Sequence, residues 1–241
     1  MTLFLNDLRC RSWSREDHPL VHAIRWFSEH QVIAWLVEFQ AAVISPDNWH
    51  LLSIGRPERI LLSKNHIFVG YGDESTIGAR PGELEFNVVA VFSRDGEFQF
   101  GLRDIFSKDN YKGTIIELNA GYTSGERMIF NAYSANYLWR LDPRSKSYKR
   151  FHVPFETALI EVLSGDDKHA VAILKYCAPF EFAVFDLALE TSAKQDFAPI
   201  ETALIDAGFA MSEIKFQPNS TGRIIVSDTK QAALLEFCDL A

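Results

Sequence analysis

Apolar and polar residues alternate with a period of two along much of this chain, and turn-forming residues interrupt the alternation at short intervals. Phe98, Phe100 and Leu102 alternate with Gln99, Gly101 and Arg103, the signature of a strand with one buried face. FNVVAVFS precedes that run, and Arg94-Asp95-Gly96 lies between them. Asp-Gly between two apolar runs is a strong hairpin signal. Pro46-Asp47-Asn48 separates AAVIS from WHLLSI in the same way. Between Thr114 and Val153 four such runs follow one another, TIIELN, RMIFNAY, YLWRLD and SYKRFHV, the last pair turning at Asp142-Pro143-Arg144. That is the pattern of a four-stranded antiparallel meander.

The same grouping recurs along the chain. LVHAIRWF, VIAWLVEF, AAVIS and WHLLSI form a first group, and RILLS, HIFVGYG, NVVAVF and EFQFGL a second. After the Thr114 to Val153 group come ALIEVL, AVAILKY, FEFAVFD and KQDFAP, then ALIDAGF, RIIVSD and AALLEF. The fifth group is one strand short, and TLFLNDL near the amino end is one strand in surplus. ETALIE at Glu156 to Glu161 returns as ETALID at Glu201 to Asp206, an offset of 201 − 156 = 45; a fixed period marks repeat architectures. Residues 19–39 admit a helix, with Asp17 as cap and Pro19 in the first turn. Their Val, Ile, Trp and Phe content favours strands.

This order and spacing resemble a β-propeller, whose WD-repeat members have blades of about 40–45 residues. Neither the Gly-His opening pair nor the Trp-Asp closing pair of that group is present, so the resemblance names no particular family. It implies an all-β, five-bladed, single-domain propeller with blades near 19–58, 59–108, 109–153, 154–198 and 199–241. The strand at 2–8 would pair in the last blade and close the ring, because sheet edges left open are a liability. A β-sandwich or two small β domains are the competing architectures.

Composition narrows the function. The chain has 241 residues, 47% hydrophobic and 23% charged, with a formal net charge of −8. That balance disfavours nucleic acid and anionic membrane surfaces as partners. The three cysteines, Cys10, Cys177 and Cys238, lack metal-like spacing, which fits a reduced, cytoplasmic setting. The amino end shows no signal peptide pattern, and no apolar run reaches membrane-spanning length. Cys177, beside Tyr176 and Ala178, reads as a small buried hydrophobe rather than a nucleophile.

No hydrolase elbow, zincin or P-loop motif occurs. His18 and His22 are four apart, but Pro19 intervenes and no third ligand is near, so no metal is expected. No cofactor is expected either. Gly70-Tyr71-Gly72 reads as turn glycines at a strand end. Arg140, Arg144, Lys146, Lys149 and Arg150 read as the solvent rim of an edge strand.

In a propeller, one face is built from connections between second and third strands and between successive blades. The longest of these are Asp73 to Glu85 and Arg103 to Gly113, both rich in charges of either sign. Function concentrates in loops held on a rigid scaffold, so Asp73, Glu74, Arg80, Glu83, Arg103, Asp104, Asp109, Tyr111 and Lys112 are the candidate binding residues. The expected function is a non-enzymatic module that presents this face to a protein or peptide. The alternative is a glycoside-type hydrolase with paired carboxylates at the channel mouth, one of them with a raised pKa. A purely structural subunit is a third.

Overall fold

A computed structural model describes residues 21–28, 31–36, 41–44, 49–108, 117–132, 136–153, 160–174, 181–218 and 224–235. The strand at 2–8 and all three cysteines lie outside the described residues, as do His18, Asp109, Tyr111 and Lys112.

The chain forms a succession of small antiparallel sheets arranged in a ring, as in a β-propeller. The first sheet has strands β1 (Val21–Ser28), β2 (Gln31–Leu36), β3 (Ala41–Ile44) and β4 (Trp49–Leu52). Residues 21–28 and 31–36 are thus strands, and the helical alternative for that stretch is set aside. The second sheet holds β5 (Arg59–Leu62), β6 (His66–Gly70), β7 (Val89–Ser93) and β8 (Phe98–Gly101). The third holds β9 (Leu118–Ser124), β10 (Arg127–Ala132), β11 (Tyr137–Asp142) and β12 (Ser147–His152). The fourth holds β13 (Ile160–Gly165), β14 (His169–Leu174), β15 (Glu181–Asp186) and β16 (Thr191–Asp196). The last has, among the described residues, three strands, β17 (Lys215–Pro218), β18 (Ile224–Ser227) and β19 (Ala232–Leu235). Strands in every sheet pair in sequence order, so each sheet is a meander, the pairing that short turns permit.

Side chains of successive sheets pack face to face. Phe68, Val91, Met128, Phe130 and Trp139 fill the space between the second and third sheets. Ile129, Leu138, Leu163, Ala172 and Phe185 fill the next interface. Ala41, Val43, Ile67, Val69 and Phe92 join the first sheet to the second, and Val162, Val171, Phe216 and Val226 join the fourth to the last. Both faces of a middle sheet are therefore buried. That is why runs such as VVAVF read as continuous apolar stretches while only the outermost strands alternate. The first strands β5, β9, β13 and β17 approach one another in sequence order, which puts them on the inside.

Aspartate recurs at the hairpins. Asp142 Oδ1 accepts from the backbone N–H groups of Arg144 and Ser145, and Asp186 Oδ1 from those of Ala188 and Leu189. Asp166 and Asp228 do the same at their own turns. A short acidic side chain supplies these turns with a local acceptor. Asp142 and Asp186 are 186 − 142 = 44 residues apart. Each is followed four residues later by a left-handed residue, Lys146 at φ 49 and Glu190 at φ 58.

Four expectations are corrected. The last two positions of the ETALIE and ETALID pair differ in structure: Ile205 and Asp206 end a helix, α3 (Ala198–Asp206), with a proline at its start, whereas Ile160 and Glu161 open β13, and residues 156–159 lie outside the described residues. The first strand of the last sheet is KFQP at β17 instead of ALIDAGF. The connection after β8 is in part a helix, α2 (Leu102–Lys108), whose Leu102, Ile105 and Phe106 are buried at helical spacing. The insertion after β6 contains a short helix, α1 (Asp73–Ile77), and a 3-10 turn at Glu85–Asn87.

Candidate functional site

Two connections of the second sheet meet at one end of the molecule. The chain leaves β6 through Tyr71, whose buried hydroxyl donates to the Ile54 carbonyl at 2.8 Å. Burial, and then the charge of Glu85, push the pKa of that phenol far up, so it remains a donor. The connection then runs through α1 and the 3-10 turn, and both α1 and α2 pack against that turn. The Arg103 guanidinium lies over the Phe86 ring, 4.2 Å from its centroid, a cation–π contact that joins the two connections.

The candidate residues divide into those that shape this face and those that project from it. Glu83 Oε2 accepts from the Arg80 backbone N–H at 2.8 Å, which closes the turn between them. Asp104 Oδ2 accepts from the Gly101 N–H at 2.8 Å and so anchors the start of α2. Asp73 Oδ1 accepts from the Glu74 N–H. Asp73, Glu74, Arg80, Glu83 and Asp104 are exposed, and Arg103 is half-buried. Ile77, at the end of α1, is 73% exposed among them.

Sequence reasoning missed a second group, nearer the ring axis. Glu58 and Arg59 precede and open β5, and Glu117 immediately precedes β9. Glu117 is half-buried, and burial raises its pKa. The carboxylates of Glu58 and Asp73 raise it further, and Arg59 offsets part of this. Arg59 Nε donates to the Leu118 carbonyl at 3.3 Å, so the cation is fixed at the junction of the second and third sheets. A carboxyl biased toward its neutral form beside two others can donate a hydrogen bond or a proton to a bound group. Among the described residues no set of three His, Cys, Asp or Glu side chains converges as a metal site.

The signal for this group was the glycine pair that reads as a turn. A Cβ at Gly70 would meet Leu118 Cδ2 at 2.6 Å, and one at Gly72 would collide with the Glu58 carboxylate. At Gly70 the Leu118 side chain leaves no room for another, whereas at Gly72 the neighbour is the flexible end of Glu58.

Comparisons with known proteins bear on the fold alone. No family model and no curated protein matches the chain. Among solved structures it is similar to U3-55K, with a TM-score of 0.52 at 6% identity, over 73% of this chain and 51% of that one. It is also similar to the dihydro-heme d1 dehydrogenase NirN in complex with DHE, with a TM-score of 0.51 at 11% identity, over 87% of this chain and 42% of that one. The computationally designed Ika4 protein overlaps 69% of this chain, with a TM-score of 0.49 at 13% identity. The chain thus spans about half the length of U3-55K and less than half of NirN. The likeness is to ring-shaped repeats of small sheets; it identifies no particular family.

Proposed function

We propose that this protein is a non-enzymatic binding module that presents the α1–α2 face to a protein or peptide partner. The observation that carries this reading is the packing of α1, the 3-10 turn and α2, pinned by Arg103 over Phe86. It holds charged side chains and the exposed Ile77 on a rigid base, where adaptable surface gives specificity. Alanine at Arg80, Arg103 or Ile77 is expected to weaken capture of the partner at least about tenfold, a loss of roughly 1.4 kcal/mol. The melting temperature should stay within a few degrees of the parent. Affinity capture with quantitative mass spectrometry checks this; undiminished recovery of the same partners from all three variants would refute it.

The same reading includes a ring of five blades closed by the segment at 2–8, which would add beside β19 as the fourth strand of a sheet with three described strands. Closing a ring removes exposed edges. Deletion of residues 1–9 should lower the melting temperature, and a truncated chain as heat-resistant as the parent would rule out this closure.

The second reading, hydrolysis of a glycoside at the channel mouth, rests on Glu117. Its raised pKa beside Glu58 and Asp73 fits an acid catalyst better than Asp104 does, whose carboxylate is engaged by the Gly101 N–H. Glu117→Gln should then abolish turnover in a panel of chromogenic glycosides. A parent protein inert across the panel removes this reading.

A further inference from the structure

The β11–β12 hairpin carries a charge surplus that sets it apart from the rest of the chain. Residues 137–152 contain Arg140, Arg144, Lys146, Lys149 and Arg150 against one carboxylate, Asp142, in a chain of net charge −8. That carboxylate is itself bonded to Arg127 Nε at 2.9 Å. The cations form two rows. Arg140 and Lys149 lie over Phe151, at 5.4 and 5.1 Å from its centroid, on the side of the fourth sheet. Arg150 lies over Tyr137 and Trp139, at 5.2 and 5.7 Å, and Lys146 reaches Phe100 of β8 at 5.6 Å, on the side of the second sheet. Between the rows runs β12, which among the described residues pairs only with β11.

Protection of an open edge does not account for this. The outer strand β8 carries no charge in Phe98–Gly101 and leaves Phe98 45% exposed. The outer strand β16 carries Lys194 and Asp196, which cancel, and Lys194 Nζ is bonded to Glu181 at 2.7 Å. Only β12 of these three is net cationic. The arrangement also opposes stability, because Arg140 stands directly opposite Lys149 in the ladder and like charges so placed repel. Glu190, 2.6 Å from Lys149 Nζ, offsets one of the two.

We propose that β12 is a docking edge for an extended acidic segment of a partner protein, which adds beside it as a further strand and places carboxylates against both cation rows. A strand's side chains alternate between faces, so an added strand reaches Lys149 with one set and Arg150 with the other. Strand addition draws affinity from backbone bonds and selectivity from the flanking side chains. A membrane or a nucleic-acid duplex presents a broad charged surface and meets rows split across a strand only edge-on. The net charge of the chain further opposes such polyanions. Phe106 of α2 packs on Tyr148 of β12, but the docking edge uses other residues than the candidates of the α1–α2 face, and either reading can fail without the other.

The test uses the full chain and a blocked octapeptide, Val-Glu-Glu-Thr repeated twice, which sets carboxylates on both faces of a strand. Titration followed by amide NMR should shift the signals of Ser147–His152. The affinity should drop at least tenfold in the Lys149→Ser/Arg150→Ser variant and fall with added salt. A second variant, Arg144→Ser/Lys146→Ser at the turn, should weaken binding in the same direction, which covers poor folding of the first. The same peptide N-methylated at alternate amides, in both phases, should lose binding in one phase. The proposal is overturned if no signal of β12 moves, or if both methylated peptides bind as well as the parent peptide. It is equally overturned if duplex DNA or phosphatidylserine vesicles compete for these residues more strongly than the peptide.

Discussion

Replacing Trp139 with alanine is expected to cost about 3–5 kcal/mol, a large part of the roughly 5–15 kcal/mol that holds a domain folded. Trp139 has no exposed surface. Phe106 of α2 contacts its ring at 5.2 Å between centroids, Tyr148 at 5.4 Å, Tyr137 at 6.0 Å and Phe130 at 6.3 Å. The loss is therefore a cavity between two sheets together with the anchor of α2. Trp139→Phe keeps an aromatic ring in the stack and should cost about half as much. Urea unfolding of the two variants checks the order. Equal midpoints for the alanine variant and the parent would mean that the second and third sheets do not share this core.

The second large effect is expected at Glu126, in the turn between β9 and β10. Its Oε2 accepts from Ser63 Oγ at 2.9 Å and from the Asn65 backbone N–H at 3.1 Å, and lies 3.1 Å from His66 Nδ1. Its Oε1 accepts from Asn65 Nδ2 at 3.0 Å. One carboxylate thus gathers the β5–β6 turn of the neighbouring sheet. Glu126→Ala strips those donors of their acceptor and should cost about 2 kcal/mol, in the range for bonds to a charged group. Burial alone would raise the pKa of Glu126, but the bonds from Ser63, His66 and the Asn65 N–H outweigh it and hold it below the ordinary value of 4.5. The unfolded chain therefore binds this proton more tightly than the folded one. The contribution is fully present above about pH 4.5 and is lost as the pH falls through the lower folded value. Glu126→Gln should remove that part of the acid sensitivity, which unfolding midpoints near neutral pH and at about pH 4 would reveal. An unchanged pH dependence in Glu126→Gln would place the acid sensitivity elsewhere.

The sheets were legible because their signals are local. Arg94-Asp95-Gly96 forms its turn with Gly96 at φ 83, and Gly96 N–H donates to the Ser93 carbonyl at 3.1 Å. The apolar runs on either side pair as β7 and β8. The helices were not legible, for identifiable reasons. Leu102 continues the period of two that begins at Phe98, yet Leu102, Ile105 and Phe106 also satisfy a helical spacing. Only the third sheet, against which Phe106 packs, decides between them. ETALI is compatible with either state: as a free sequence its Ala, Leu and Glu favour helix, and Pro199 starts one at α3. At the positions that can be compared, Ile160 and Glu161 stand in a strand and Ile205 and Asp206 in a helix. The true period shows in Asp142 and Asp186, two single letters that perform the same bonding.

Of the site, the long connections were visible as charged, punctuated stretches, and Arg103 was among them. Phe86 was not, because a cation–π pair between separate connections leaves no trace in local spacing. Glu58 and Glu117 are 117 − 58 = 59 residues apart and act on one another only through the fold. The glycines between them, Gly70 and Gly72, are the local imprint of that approach.

Among the described residues, the side-chain bonds that tie sheet to sheet reach only to the next sheet along the chain. Ser63 and Glu126 are separated by 63 residues, Thr123 and Leu62 by 61, and Arg127 and Asp167 by 40. A nascent chain can therefore dock each of these meanders on its predecessor as soon as it emerges, and only the proposed closure by the segment at 2–8 waits for the end of the chain. Assembly by such increments confines exposed apolar surface to the two ends of the growing stack, which limits how much of an unfinished molecule can aggregate.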